Sequence, residues 1–206
     1  MNKFEKIFRL WATIGKLLVD EVRDPEKVAE ALEVVVSALQ AIVNQPVVAV
    51  AKKYLRNLYG QTRVMLGATG RVTITESVEV FAAGIDSDFV SWGLNTPSRS
   101  SLATTVTVHE QVEDGTFAEI YGSVGDLNRL WLTQSHVVAF CKQHRNKLRT
   151  EGYATFFLLL KKEPEEFFVA YVYVRGGGRL SVGVSGFSFD GVWGAECRGR
   201  FVVPQL

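Results

Sequence analysis

Residues 167–206 read FFVAYVYVRGGGRLSVGVSGFSFDGVWGAECRGRFVVPQL, and their pattern decides what the chain can be. Strand-like runs are separated by glycines: Glu166–Arg175, the turn Gly176–Gly178, Leu180–Phe189 and Trp193–Val203. Alternating β-branched and aromatic residues mark strands, and glycine clusters between them mark turns. Small residues, acids, arginines and aromatics stand in the last two runs where a buried strand would carry Val and Ile. Alternation sets Trp193, Ala195, Cys197, Gly199 and Phe201 on one side of the last run, and Gly194, Glu196, Arg198 and Arg200 on the other. In the run before it, Leu180, Val182 and Val184 oppose Ser181, Gly183 and Ser185. Two readings stand. One is an ordinary solvated sheet face; the other is a recognition surface, which favours aromatics and arginine at its core.

Upstream, Tyr153–Lys162 is another apolar run, and Lys161–Glu166 with Pro164 separates it from Glu166–Arg175 as a hairpin would. The spacing predicts a helix over about 134–148, with Thr133 as N-cap and Val137, Phe140, Cys141, His144 and Leu148 as its stripe. Thr116–Tyr121 predicts one or two helical turns, and Thr105–Val112 alternates as a strand. Residues 86–104 are polar and turn-rich, a loop anchored by Phe89, Trp92 and Leu94. Glu76–Ile85 predicts a helix, and Arg71–Thr75 a short strand.

From residue 3 to 59 the period is that of three amphipathic helices. Phe4, Ile7, Phe8, Trp11, Ile14, Leu18 and Val22 make the first stripe; Val28, Leu32, Val35, Leu39 and Ile42 the second. Val47, Val50, Ala51, Tyr54, Leu55 and Leu58 make the third, with Gly60 as its C-terminal cap. The expected division is therefore a helical segment at 1–60 and a sheet domain at 61–206.

The 206 residues are 47% hydrophobic and 22% charged, an ordinary globular composition. Net charge is +1, which argues against a dedicated nucleic-acid binder, because such binding depends on clustered cations. The N-terminus carries charges every few residues, without the apolar core of a signal peptide or a membrane span. The expectation is a cytoplasmic chain with no membrane span. Its two cysteines, Cys141 and Cys197, are read as reduced thiols.

Few residues suggest catalysis. Cys141 and His144 share a helix face, but His136 sits about 80° around the helix from His144. With His109 and Cys197 elsewhere, a four-ligand zinc set does not assemble from these spacings. A Cys141–His144 nucleophile pair needs an accessible, electropositive thiol, and Cys141 lies on the apolar stripe. Arg175-Gly-Gly-Gly-Arg179 has strands on both sides rather than a strand and a helix, so it reads as a hairpin turn rather than a phosphate loop. The basic run Lys142, His144, Arg145, Lys147 and Arg149 reads as a solvated helix face, or as a surface for an acidic partner.

The second half resembles the C-type lectin fold. The residues behind this are a helix at Gln134–Leu148 leading into the strand Tyr153–Lys161, and the ending Trp-x-x-x-x-Arg-x-Arg-Phe-Val-Val from Trp193 to Val203. The form it is most similar to is the compact one shared by formylglycine-generating-enzyme-like domains and the variable proteins of diversity-generating retroelements. The resemblance implies that the terminal strands pair and that a C-terminal segment supplies a ligand-binding face. It implies candidate ligand-binding positions at Ser181, Gly183, Ser185, Ser188, Asp190, Gly194, Glu196 and Arg198; Trp193 joins them as an aromatic of the kind recognition surfaces favour. Cys141 and Cys197 do not match the active-site cysteines of formylglycine-generating enzymes, and the calcium-site acids of animal lectins are missing. No catalysis, metal or cofactor is therefore implied.

The expectation is an α+β protein: an N-terminal helical segment, then a C-type-lectin-like mixed domain with a mainly antiparallel sheet. It is expected to be a non-catalytic binder whose partner is a protein. Two rivals are an enzyme with a pocket assembled from dispersed residues, and an assembly protein that forms homo-oligomers through its N-terminal helices.

Overall fold

A computed structural model of the chain describes residues 53–60, 63–67, 70–97, 102–162 and 164–205. The first two expected helices, and the third as far as residue 52, lie outside the described residues. The chain divides into two units between Val50 and Ala51.

In chain order, the strands are β1 (Leu55–Asn57), β2 (Val64–Leu66), β3 (Gly84–Ile85), β4 (Thr104–Gln111), β5 (Ala154–Lys162), β6 (Glu165–Val174), β7 (Leu180–Gly186) and β8 (Arg200–Pro204). The helices are α1 (Asp88–Ser91), α2 (Phe117–Gly122) and α3 (Gln134–Gln143). The strands form one mixed sheet in the order β1-β4-β8-β5-β6-β7-β3, and β2 pairs with β4 beside β1. The described part is thus sheet-rich with few helices, and mostly antiparallel. Its parallel pairs are β5 with β8 and β3 with β7.

The apolar run in β5 explains its central place. Phe156 and Leu158 are buried in one hydrophobic cluster, Phe157 and Leu159 in another. A strand apolar on both sides needs cover on both faces, which a central position provides. On the first face, α3 brings Val137, Phe140 and Cys141 to the sheet, joined by Ile74, Phe81 and Phe89. On the second, α2 brings Phe117, Ile120 and Tyr121, followed by Leu130. The sheet is the middle layer of three.

Helix α3 starts where expected. Thr133 Oγ1 accepts the His136 N–H at 3.2 Å, and His136 Nδ1 accepts the Thr133 N–H at 3.4 Å. This is a capping box with His in the place usually held by Glu or Gln. The helix stops at Gln143 rather than 148. His144 has φ −127°, and a single 3-10 turn at Arg145–Lys147 carries the chain to buried Leu148.

Four expectations are corrected. Leu55–Asn57 is a strand rather than the end of a third helix, since it pairs with Gln111–His109 of β4. Sheet pairing outweighs local helical periodicity there. Arg71–Thr75 is not a strand. The Val72 N–H is taken by Ser135 Oγ at 3.0 Å, the Ile74 N–H by Gln134 Oε1 at 2.9 Å, and the Thr73 N–H by Glu76 Oε2 at 3.1 Å. Side chains have claimed the donors a neighbouring strand would need. Glu76–Ile85 is a series of turns, ended by Gly84 at φ 132° as the chain extends into β3. The last run is a strand only from Arg200: Ala195–Cys197 is a 3-10 turn and Arg198 is left-handed at φ 47°. Period-2 alternation cannot pass through that turn, so the two sides read from it between Trp193 and Arg198 do not exist.

Candidate functional site, a crossover on the second face

Strands β5, β6 and β7 form an antiparallel meander, so β7 runs in the same direction as β5. β8 is parallel to β5, and therefore runs in the same direction as β7 too. The end of β7 and the start of β8 lie at opposite ends of the sheet, with β6 and β5 between them. Residues 187–199 must cross from one to the other. Such crossovers are usually helical and need about a dozen residues. This one has only the 3-10 turn at Ala195–Cys197, so side chains along it are not committed to a helix face.

Aromatic anchors fix its path over the second face. The Phe187 ring lies 5.9 Å from Phe167 and 6.2 Å from Tyr121. Trp193 packs on Phe156 at 4.9 Å and Phe117 at 5.2 Å. Its backbone bridges to Gly115, and Gln111 Nε2 donates to its carbonyl at 2.6 Å. The Ala195 N–H donates to Asp114 Oδ1 at 2.7 Å, and Arg149 Nε reaches the Cys197 carbonyl at 3.4 Å. Between the anchors the chain turns outward. Phe189 is 51% and Val192 67% exposed, and Ser188 and Asp190 beside them are exposed as well.

The nine candidate positions therefore separate into three kinds. Ser181 and Ser185 are half-buried on β7, on the second face. Ser188, Asp190, Glu196 and Arg198 stand exposed along the crossover. Gly183, Trp193 and Gly194 are inward or covered. A Cβ at Gly183 would run into the Tyr171 ring, and one at Gly194 into the Glu196 carboxylate. None of the candidate positions lies on β8, which begins at Arg200, so the β7 and the later positions do not form neighbouring columns of one sheet face.

Residues that the alternation pattern did not flag join the β7 group. Tyr171 lies across Gly183, and its ring is 5.8 Å from Tyr173. β3 pairs Ile85 with Val182, and the Asp86 N–H donates to the Val182 carbonyl at 2.9 Å, which sets Asp86 beside Gly183. Burial raises the Tyr171 hydroxyl above the usual tyrosine range, with further contributions from Asp86, Tyr173 and Asp88. Arg175 Nε donates to Ser181 Oγ at 2.9 Å while its guanidinium lies 4.4 Å from the Tyr173 ring. The sequence signal was available: Tyr171 and Tyr173 share the parity of Phe167 and Val169 on β6.

The titratable groups weighed for chemistry are scattered. Among the described residues no three of His, Cys, Asp or Glu converge as a metal-ligating group. His136 is buried at 7% exposure. His144 Nε2 meets the Met65 carbonyl at 3.1 Å, and His109 Nε2 meets Thr107 Oγ1 at 2.9 Å. Burial pushes the Cys141 thiol well above the usual range, so it is protonated and enclosed. The Cys197 thiol is also raised, by desolvation first and then by Glu196. No described helix is long and apolar enough to cross a membrane.

Comparison with protein-family models, with curated proteins and with solved structures gives no match to this chain.

Proposed function

We propose that this chain is a non-catalytic recognition protein, with a C-type-lectin-like domain that captures a protein ligand on the crossover and the adjoining strip of β7. One observation carries the reading. Residues 187–199 cross the second face on the inward anchors Phe187 and Trp193, yet present Phe189, Val192, Asp190, Glu196 and Arg198 to solvent. Apolar side chains amid charged ones, on a loop held by a rigid sheet, are what a protein interface uses. Under this reading the chain is a variable protein of a diversity-generating retroelement. Diversification would then fall on outward positions such as Ser188, Asp190, Glu196 and Arg198, and would spare Gly183 and Trp193, which the packing requires.

The test is binding by the purified full chain. Its partner is isolated from the producing cell, and the affinity is measured by calorimetry. Replacing Ser185, Asp190, Glu196 and Arg198 together is expected to weaken binding at least about tenfold, since the hot spots of an interface are few. The unfolding midpoint should stay unchanged. Undiminished affinity in that variant removes the proposed face.

A further inference from the structure

The crossover does not account for the arginines at the start of β7. The β6–β7 turn is Arg175-Gly176-Gly177-Gly178-Arg179, and all five residues are exposed. Gly177 and Gly178 are left-handed at φ 69° and 73°, a conformation that glycine adopts without strain. No neighbour stands within 4 Å of where a side chain would project from any of the three glycines, although the Gly178 N–H is itself held by the Arg175 carbonyl at 3.0 Å. Successive amides in such a turn form a concavity suited to an anion.

A third arginine arrives from elsewhere in the chain. Arg145, in the 3-10 turn after α3, donates from its guanidinium to the Gly178 carbonyl. Helix α3 ends early enough for this residue to leave the helix face and reach the hairpin. Arg175 and Arg179 thus flank the turn in sequence and Arg145 is tied to it through Gly178, and among the described residues none of the three has a carboxylate partner. Other members of the same basic run are engaged: Lys142 pairs with Glu79 at 2.9 Å and Arg149 with Glu151 at 3.2 Å. The near-neutral charge of the chain hides this local excess. Arg175 also bonds Ser181, which makes the turn continuous with the β7 strip.

We infer that the Arg175–Arg179 turn, completed by Arg145, is an anion site that holds an acidic peptide segment of the protein ligand. This rests on the recognition reading, because continuity with the β7 strip favours a protein as the source of the anion. Guanidinium groups match carboxylates with paired, charge-assisted hydrogen bonds, and three around one turn can hold successive acidic side chains.

The test uses the full chain and a fluorescein-labelled hexaglutamate peptide, followed by anisotropy at about 0.15 M salt. Saturable binding is expected. Arg145→Gln with Arg179→Gln should weaken it about tenfold or more, and Phe189→Ser with Val192→Ser should leave it unchanged. Absent binding, or equal binding by the arginine variant, overturns the site. Tighter binding of a single-stranded oligonucleotide of equal charge overturns the assignment to a peptide. The peptide arm reads the turn alone, so a failed crossover reading would show separately, as an unchanged protein partner affinity in the Phe189 and Val192 variant.

Discussion

His136 shows how one side chain can serve structure and set a pH limit. Its Nδ1 accepts from the Thr133 N–H, and its Nε2 lies 3.4 Å from the Leu102 carbonyl, an arrangement that suits the neutral ring. Burial holds its pKa below the ordinary value of 6.5. The unfolded chain therefore takes up the proton first as pH falls. This contribution to stability is complete above about pH 6.5 and is lost as pH drops through the folded pKa. His136→Gln keeps an acceptor at the third helical position and removes the titration. The urea midpoint of the variant should fall less than that of the native chain between about pH 7 and 5.5; equal falls contradict the assignment. Gly183 is the second case. Gly183→Ala forces Tyr171 off its place and should cost about 1–3 kcal/mol in urea unfolding. Adding Tyr171→Ala should recover part of that loss, because the clash goes with the ring. A Gly183→Ala protein of native stability would remove Tyr171 from the β7 strip.

The crossover divides into anchor and display, and the two should respond oppositely to substitution. Trp193→Ala removes a ring packed on Phe117 and Phe156, and should destabilise by about 3–5 kcal/mol. Phe189→Ser with Val192→Ser removes only exposed surface and should stay within about 0.5 kcal/mol of native in the same assay. Equal costs would mean that the display residues are core. Legibility in the sequence followed the same division. The β5–β6–β7 meander, β4, α2 and the Thr133 cap were readable because their periodicity and capping chemistry are local. The Trp193–Arg198 segment was not: its alternation of types imitates a strand, and the left-handed Arg198 that breaks it carries no sequence mark. Arg71–Thr75 misled in the same way, because Gln134 and Ser135, far along the chain, decide its hydrogen bonding. The candidate positions on β7 and along the crossover came from the alternation of the tail and from the lectin resemblance. The parity of Tyr171 and Tyr173 on β6 was readable, but that they stand beside Gly183 with Asp86 depends on strand order, which one sequence does not show.

Three layers around one sheet leave the crossover, the proposed recognition surface, on the second face, with the arginine turn at the end of β6 and β7. The sheet also sets where the domain begins. β1 contributes buried Leu55 and the Arg56–Glu110 ion pair at 2.6 Å, so the sheet includes residues before 61. Removing residues 1–60 should cost about 2 kcal/mol more in urea unfolding than removing residues 1–50, mainly through the loss of buried Leu55. Equal stabilities would show that β1 is dispensable. The central claim, that the crossover displays the ligand-binding side chains, is tested most directly by site-specific photo-crosslinking in the producing cell. A photoreactive phenylalanine analogue is placed at Phe189 or Val192, and, as controls, at the exposed positions Val78 and Val90 away from the crossover. The account predicts one discrete protein adduct from 189 and 192, and none of that mass from 78 and 90. Adducts from the control positions alone, or the same adduct from all four, would contradict it.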